Sequence, residues 1–171
     1  IASRGGFHGR TVAAASMTAS GTKCRSGFSP LMAGVQVSPF PDPGHFGWGQ
    51  EETTEFALRQ LDYTLQTLTA PNDTAAFFVD PVLGEGGYVP ASTAFFAGLR
   101  ERAARHGILL GVDEIQTGWG RTGRVRGGGG LGGAPGGFEF EILDADPPRT
   151  NRLPTGPKAA GPRPEPRRKR P

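Results

Sequence analysis

Two short apolar stretches decide the fold, AAFFVD at residues 75–80 and ILLGVD at residues 108–113. Each is an apolar run that ends in aspartate, which is typical of a strand buried in a parallel sheet. Between them, Ser92 is a good N-cap for a helix, and Gly107 can close that helix in the left-handed conformation. Strand, helix and strand in this order predict a βαβ unit with parallel pairing. The sequence therefore predicts an α/β fold with a mostly parallel sheet.

A second helix is predicted over residues 50–69, before the first strand. Its leucines recur at steps of three and four residues, as expected for one apolar face, and its first turns are acidic. The leucines are Leu58, Leu61, Leu65 and Leu68. This helix is expected to pack its leucine face on the sheet.

Polar and glycine-rich segments follow both predicted strands. Asp80 is followed by a loop with Gly84, Gly86 and Gly87, and a similar glycine-rich segment follows Asp113. Ligands of parallel sheets bind outside the carboxyl ends of the strands, and glycine lets backbone approach a ligand closely. This pattern is typical of a small-molecule site. Ordinary loop glycines and capping carboxylates explain it equally well.

Composition and charge divide the chain after Arg124. Residues 1–124 carry 10 Lys/Arg and 11 Asp/Glu, whereas residues 125–171 carry 9 and 5, so the net positive charge lies in the second part. Gly and Pro make up 19 of those last 47 residues. Such a segment buries too little apolar area to offset its chain entropy. We expect one domain over 1–124 and a disordered tail over 125–171 that arose from a shifted reading frame or a mispredicted gene junction.

Other bulk features restrict the function classes. Cys24 is the single cysteine, which predicts no internal disulfide and a reducing, cytoplasmic location. No apolar run approaches the roughly 20 residues of a membrane span, and no secretory signal is predicted. Because the first residue is Ile1, the start of a longer protein is expected to be missing.

Three motifs together resemble a known family. They are FHGRT at residues 7–11, DPVLGEGGY at 80–88 and DEIQTGWGRTG at 113–123. In this order they resemble the class III (ω-amino acid) aminotransferases, which depend on pyridoxal 5′-phosphate (PLP), and most of all the 4-aminobutyrate and acetylornithine enzymes. The resemblance covers 1–124 and implies a fragment of the large PLP-binding domain of the aspartate-aminotransferase type.

The resemblance implies roles for four cofactor-binding residues. Asp113 matches the aspartate that pairs with the pyridine nitrogen and keeps it protonated. Gln116 matches the residue that hydrogen-bonds the phenolic oxygen of PLP, and Phe7 matches the aromatic residue on the ring face. His8 is a further candidate for a cofactor contact, although a lone histidine is more often structural.

The resemblance also implies two substrate-binding residues. Arg10 matches a position that binds a substrate carboxylate, for which guanidinium geometry is well suited, although a surface salt bridge explains it as well. Glu85 matches a glutamate that pairs with an active-site arginine; that arginine would lie beyond the matching region, so Glu85 has no evident partner here. Asp80 stands where the family usually has glutamate, which puts the contact of its carboxylate in doubt.

The Schiff-base lysine of the family has no counterpart in this sequence. The lysines are Lys23, Lys158 and Lys169, and none follows an apolar strand as the family pattern requires. No catalytic residue is therefore assigned, no metal is expected, and the chain by itself is expected to be inactive.

The implied partners are a small-molecule amino donor and a 2-oxo acid, and intact relatives are expected to be homodimers. Two alternatives stay open: a non-catalytic remnant of the fold, and a nucleic-acid-binding protein. The second rests only on eight basic residues between Arg149 and Pro171 and is the weaker one.

Overall fold

A computed structural model describes residues 1–123 and the backbone of residues 140–143. The strands are β1 (Ala2–Ser3), β2 (Val37–Ser38), β3 (Ala76–Val79), β4 (Val82–Leu83), β5 (Val89–Pro90), β6 (Leu109–Asp113) and β7 (Phe140–Leu143). The α-helices are α1 (Val12–Met17), α2 (Pro43–Phe46), α3 (Gln50–Thr67) and α4 (Thr93–His106). Two 3₁₀ turns span Thr22–Cys24 and Pro71–Asp73.

Five strands form one sheet in the order β2-β1-β3-β6-β7. The first four are parallel to one another, and Ala76–Val79 pairs residue by residue with the first four residues of β6. β3, α4 and β6 therefore form the predicted βαβ unit, and the predicted α/β class is confirmed. β4 and β5 form a separate antiparallel pair between β3 and α4.

Helix α3 confirms the prediction over residues 50–69 to within two residues. Leu61 and Leu65 are buried in the core and Leu58 packs at its margin. Leu68 was expected on the same face, and this expectation is wrong: Leu68 lies one residue past the helix end and is exposed. Leu68 is the C-cap residue, so the apolar face of the helix ends before it.

Helix α4 begins and ends at the predicted residues. The Ser92 hydroxyl accepts a hydrogen bond from the backbone N–H of Phe95 at 3.0 Å, as an N-cap should. Gly107 adopts φ 68°, a left-handed conformation that glycine takes without steric cost. α4 is tied to α3 by a two-point ion pair, with Arg102 Nε and Nη2 at 2.6 and 2.7 Å from the Asp62 carboxylate.

The two faces of the sheet have different environments because strand side chains alternate. Phe77 and Val79 of β3 and Leu110 and Val112 of β6 join the core beneath α3 and α4. The residues between them belong to the opposite face. There the ring of Phe78 lies against Gly111, where an added Cβ would come within 2.7 Å of it.

Strand β7 differs from the expectation of a tail without regular structure. Residues 140–143 run antiparallel to β6, with Asp113 opposite Phe140 and Leu110 opposite Leu143. The pairing occupies the outer edge of β6, which would otherwise expose unpaired backbone groups. Residues 124–139 and 144–171 lie outside the described residues. Among the described helices, none is long and apolar enough to cross a membrane.

Two adjacent leucines of β6 test this assignment of faces. Leu110 is 0% exposed and Leu109 is 39% exposed. Leu110→Ala should lower the free energy of unfolding by about 2–5 kcal/mol through lost burial and a cavity. Leu109→Ala, its matched control, should cost about 1 kcal/mol or less. Urea denaturation of both variants measures the difference, and equal losses would contradict the assignment.

Candidate functional site

The centre of the site is a buried contact between His8 and Asp113. Asp113 is the last residue of β6, and His8 lies on the loop that follows β1. His8 Nδ1 lies 2.8 Å from Asp113 Oδ2, with side chains 1% and 2% exposed. The other oxygen, Oδ1, accepts a hydrogen bond from the Ile115 backbone N–H at 3.1 Å. Two protein donors thus orient the Asp113 carboxylate at the carboxyl end of the parallel sheet.

The loop that carries His8 is fixed by the hydroxyl of Thr18. The His8 backbone N–H donates to Thr18 Oγ1 at 2.9 Å, and Thr18 is completely buried. The same oxygen lies within hydrogen-bond distance of the carbonyls of Gly9 and Ala14. Thr18 therefore joins helix α1 to the loop and holds His8 in place.

The sheet itself supports the His8 ring from one side. Phe78 lies edge to face with it, with ring centroids 4.8 Å apart and planes at 83°. Such T-shaped pairs are favourable for aromatic rings. Phe78 in turn lies against Gly111, so the missing side chain in β6 makes room for the ring that positions His8.

Asp80 lies on the other side of the His8 ring. It follows β3 directly, and its Oδ2 is 3.7 Å from His8 Nε2. Neither atom has a hydrogen-bond partner within the described part of the chain. Burial raises the pKa of Asp80 to about 7; the His8 imidazole lowers this pKa and the Asp113 carboxylate raises it, and the backbone N–H of Phe7 lowers it further.

A glycine makes this close arrangement possible. A Cβ at Gly6 would lie 2.8 Å from Asp80 Oδ2, 3.0 Å from His8 Nε2 and 3.1 Å from the carbonyl oxygen of Ser3. A side chain at position 6 would therefore collide with Asp80 Oδ2 and His8 Nε2.

The three side chains lie in a row, with the imidazole between the two carboxylates. One atom from each lies within 4.8 Å of the others, a spacing that could hold a cation. However, the imidazole stands between the carboxylates, with Nδ1 towards Asp113 and Nε2 towards Asp80. The two nitrogens of the ring thus face different carboxylates, and the geometry is that of a row of acid, imidazole and acid.

The other predicted site residues are more exposed than His8 and Asp113. Phe7 is half-buried beside His8, while Gln116 and Arg10 are exposed. The Gln116 side chain lies over Gly84, where a Cβ would meet Oε1 at 2.9 Å. Glu85 was expected to have no partner, and this is wrong: its Oε2 lies 3.5 Å from Lys23 Nζ. That pair is solvent-exposed, so its energetic contribution is small.

Sequence reasoning named His8 and Asp113 separately and did not bring them together. The strand that places His8 beside Asp113 could not be predicted, because β1 has two residues and therefore no periodicity to detect. The place of Asp80 in the cluster was also missed, since the sequence shows only that the residue is shorter than the usual glutamate. Gly6 was not singled out at all.

Comparison with known proteins gives the family. The profile described as "Aminotransferase class-III" matches residues 1–128. The chain belongs to the class-III aminotransferase family. The match extends four residues past the predicted boundary at residue 124.

Several characterised proteins are similar to the matched region. Acetylornithine aminotransferase of Corynebacterium efficiens is 41% identical over 125 residues, which are 72% of this chain and 26% of that protein. Alanine/serine racemase of Pyrococcus horikoshii is 38% identical over 127 residues, 70% of this chain and 27% of the relative. 5-Aminovalerate aminotransferase of Pseudomonas putida is 35% identical over 123 residues, with 72% and 28% covered.

Solved structures agree with the fold. A PLP-bound amine transaminase from an uncultivated Pseudomonas species superposes with a TM-score of 0.70 at 31% identity, over 78% of this chain and 30% of that one. An (S)-enantioselective omega-transaminase from Thermomicrobium roseum gives a TM-score of 0.71 at 30% identity with the same coverage. The chain thus spans less than a third of the length of each of these proteins.

The raised pKa of Asp80 predicts how stability depends on pH. The folded chain holds this proton more tightly than the unfolded chain, whose carboxyl has a pKa near 3.8. The stabilisation is therefore complete below about pH 4 and is lost as the pH rises through about 7. Asp80→Asn should remove this loss, on the order of a few kcal/mol between pH 4 and 8. Urea denaturation across this range measures it.

The control for this prediction is Asp73→Asn, at an exposed aspartate. Its stability should follow the wild-type pH curve. A wild-type curve and an Asp80→Asn curve of the same slope would show that Asp80 does not carry the buried proton.

Proposed function

We propose that this chain is part of a PLP-dependent transaminase that moves the amino group of an ω-amino acid, such as 4-aminobutyrate, to a 2-oxo acid. The observation that carries the proposal is the buried carboxylate of Asp113. It lies at the end of β6, is oriented by His8 and Ile115, and falls within the family match. Sheets of this kind bind ligands at that edge.

The Asp113 carboxylate suits a pyridine nitrogen in both charge and capacity. A carboxylate has about four acceptor positions, and two are taken by protein donors here, so it can accept a further N–H. When bound, PLP supplies the electron sink of the reaction. Asp113 is proposed to keep the pyridine nitrogen protonated, and His8 is proposed to hold the carboxylate in the orientation that accepts a hydrogen bond from the pyridine N–H.

Phe7 and Gln116 complete the proposed cofactor contacts. Phe7 directly precedes His8 and is half-buried, which leaves part of its ring free to stack on a planar ligand. Gln116 lies three residues after Asp113 over Gly84. Its amide is proposed to donate to the phenolic oxygen of PLP.

The proposed donor carries a carboxylate far from its reacting amine. Arg10 is exposed and makes no ion pair with the described residues, so its guanidinium is free to bind such a carboxylate. Relatives named for 5-aminovalerate and 2-aminoadipate support this substrate class. Another relative is named alanine/serine racemase and not a transaminase. A test of the proposal therefore has to measure amino-group transfer itself.

We further propose that the 171-residue chain is inactive by itself. Lys23 is 76% exposed and pairs with Glu85, which does not suit a residue that anchors PLP covalently beside Asp113. Lys158 and Lys169 lie outside the described residues. The chain then acts as a cofactor-facing segment, and a homodimer is proposed for intact relatives.

PLP binding tests the role of Asp113. Asp113→Asn keeps the size of the side chain and removes its charge. Because a charge-assisted hydrogen bond contributes about 1.5–3 kcal/mol, the variant should bind PLP roughly ten- to a hundredfold more weakly. Quenching of tryptophan fluorescence by PLP measures the affinity, with Asp73→Asn as a control that should bind like wild type. Equal affinities would remove the main support for the proposed function.

A turnover assay tests the second part. With PLP, 4-aminobutyrate and 2-oxoglutarate, the chain should produce no more glutamate than PLP alone. Borohydride reduction followed by mass spectrometry identifies any lysine that carries PLP. Adducts found in the wild-type chain should be found equally in Asp113→Asn. Glutamate formation that Asp113→Asn abolishes would show that the chain is active by itself.

A further inference from the structure

We propose that Asp80 is a positioning residue at the end of a buried row of acid, imidazole and acid, Asp80–His8–Asp113 (the relay), and that its proton sets the electrostatic field at the carboxylate which Asp113 presents to a bound cofactor. The inference rests on the proposed function at this site and adds a residue to it. It starts from two buried atoms, Asp80 Oδ2 and His8 Nε2, that face each other at 3.7 Å and have no hydrogen-bond partner among the described residues.

Proton accounting shows why the two atoms matter. With Asp113 ionised, Nδ1–H of His8 donates to Asp113 Oδ2, which fixes one proton. A second proton lies either on Asp80 or on His8 Nε2, and in both arrangements the cluster has a net charge of −1. Loss of that proton leaves two carboxylates and a neutral imidazole, with a net charge of −2 in a buried place. Burial opposes this step.

The distance between Asp80 and His8 keeps the two positions of the second proton distinct. At 3.7 Å the Oδ2 and Nε2 atoms are beyond hydrogen-bond range. A proton cannot be shared between them as it is in the 2.8 Å contact on the other side of the ring. A side chain longer by one methylene can close this gap. Asp80 therefore ends the row without a hydrogen bond to His8. Its protonation changes the electrostatic field at Asp113 without a direct contact.

The groups that act on Asp80 come from three elements. His8 is on the loop after β1, Asp113 ends β6, and the remaining influences are the backbone N–H groups of Phe7 and of Asp80 itself. Within residues 1–123, His8 and Asp113 are the titratable side chains that shift the pKa of Asp80. Its pKa near 7 places the ionisation of Asp80 in the physiological range.

Nuclear magnetic resonance of the histidine rings tests the relay without any cofactor. The chain has three histidines, His8, His45 and His106, and a His8→Asn variant identifies the His8 signals. In the wild-type chain the ring nitrogens of His8 should show a transition near pH 7 as Asp80 ionises. In Asp80→Asn this transition should be absent, and in the exposed control Asp73→Asn it should be unchanged.

Asp80→Glu supplies an independent arm and covers the case in which Asp80→Asn fails to fold. The longer side chain should reach Nε2, so a slowly exchanging Hε2 signal should appear that the wild-type chain lacks. A His8 transition that is identical in the wild-type and Asp80→Asn chains overturns the relay, and so does an Asp80→Glu spectrum without that signal.

These outcomes are separate from those of the proposed function. PLP affinity is measured with the cofactor, whereas the histidine transitions are measured without it. A relay that titrates as expected in a chain that does not bind PLP would refute the function and leave the relay in place. Binding of PLP by a chain with no coupled transition would refute the relay alone.

Discussion

The parallel pairing of β3 with β6 determines where the polar groups of the site lie. In this register Val79 is opposite Val112, so the residues that follow, Asp80 and Asp113, emerge at the same edge of the sheet. The same pairing sends Phe77 and Leu110 to the helical face and leaves Phe78 and Gly111 on the other. A shift by one residue would exchange the two faces and place apolar side chains where the carboxylates are. The core and the site are thus specified by one set of backbone hydrogen bonds.

The two hydrogen-bond donors to Asp113 come from very different distances along the sequence. Asp113 and Ile115 are local, since one backbone amide caps a carboxylate two residues earlier. His8 is 105 residues away from Asp113 and reaches it only because β1 pairs with β3. The electrostatics of the site therefore depend on completion of the sheet, and a chain that forms only the βαβ unit would present Asp113 without its imidazole partner.

The sequence predicted the parts of this structure that have a local physical signal. The caps at Ser92 and Gly107, the helix over 50–69 and the two buried strands all follow from propensity and periodicity, and they were found close to their observed bounds. β1 was not predicted, because two residues carry no periodicity, and with it the contact between His8 and Asp113 was missed. β7 was missed because the composition of residues 125–171 is dominated by Gly, Pro and Arg. Motif resemblance named the candidate site residues, but only the fold shows which of them meet.

The absence of a side chain at Gly6 has an evolutionary consequence. An alanine there would press on Asp80, His8 and the Ser3 carbonyl at once, so positions 6, 8 and 80 cannot vary independently. A substitution tolerated at one of them depends on which residues occupy the other two, which is epistasis with a steric origin. Lineages that lengthen the acid at position 80 are expected to keep glycine at position 6. Replacing the imidazole at position 8 would remove one of these three contacts and leave those with Asp80 and the Ser3 carbonyl.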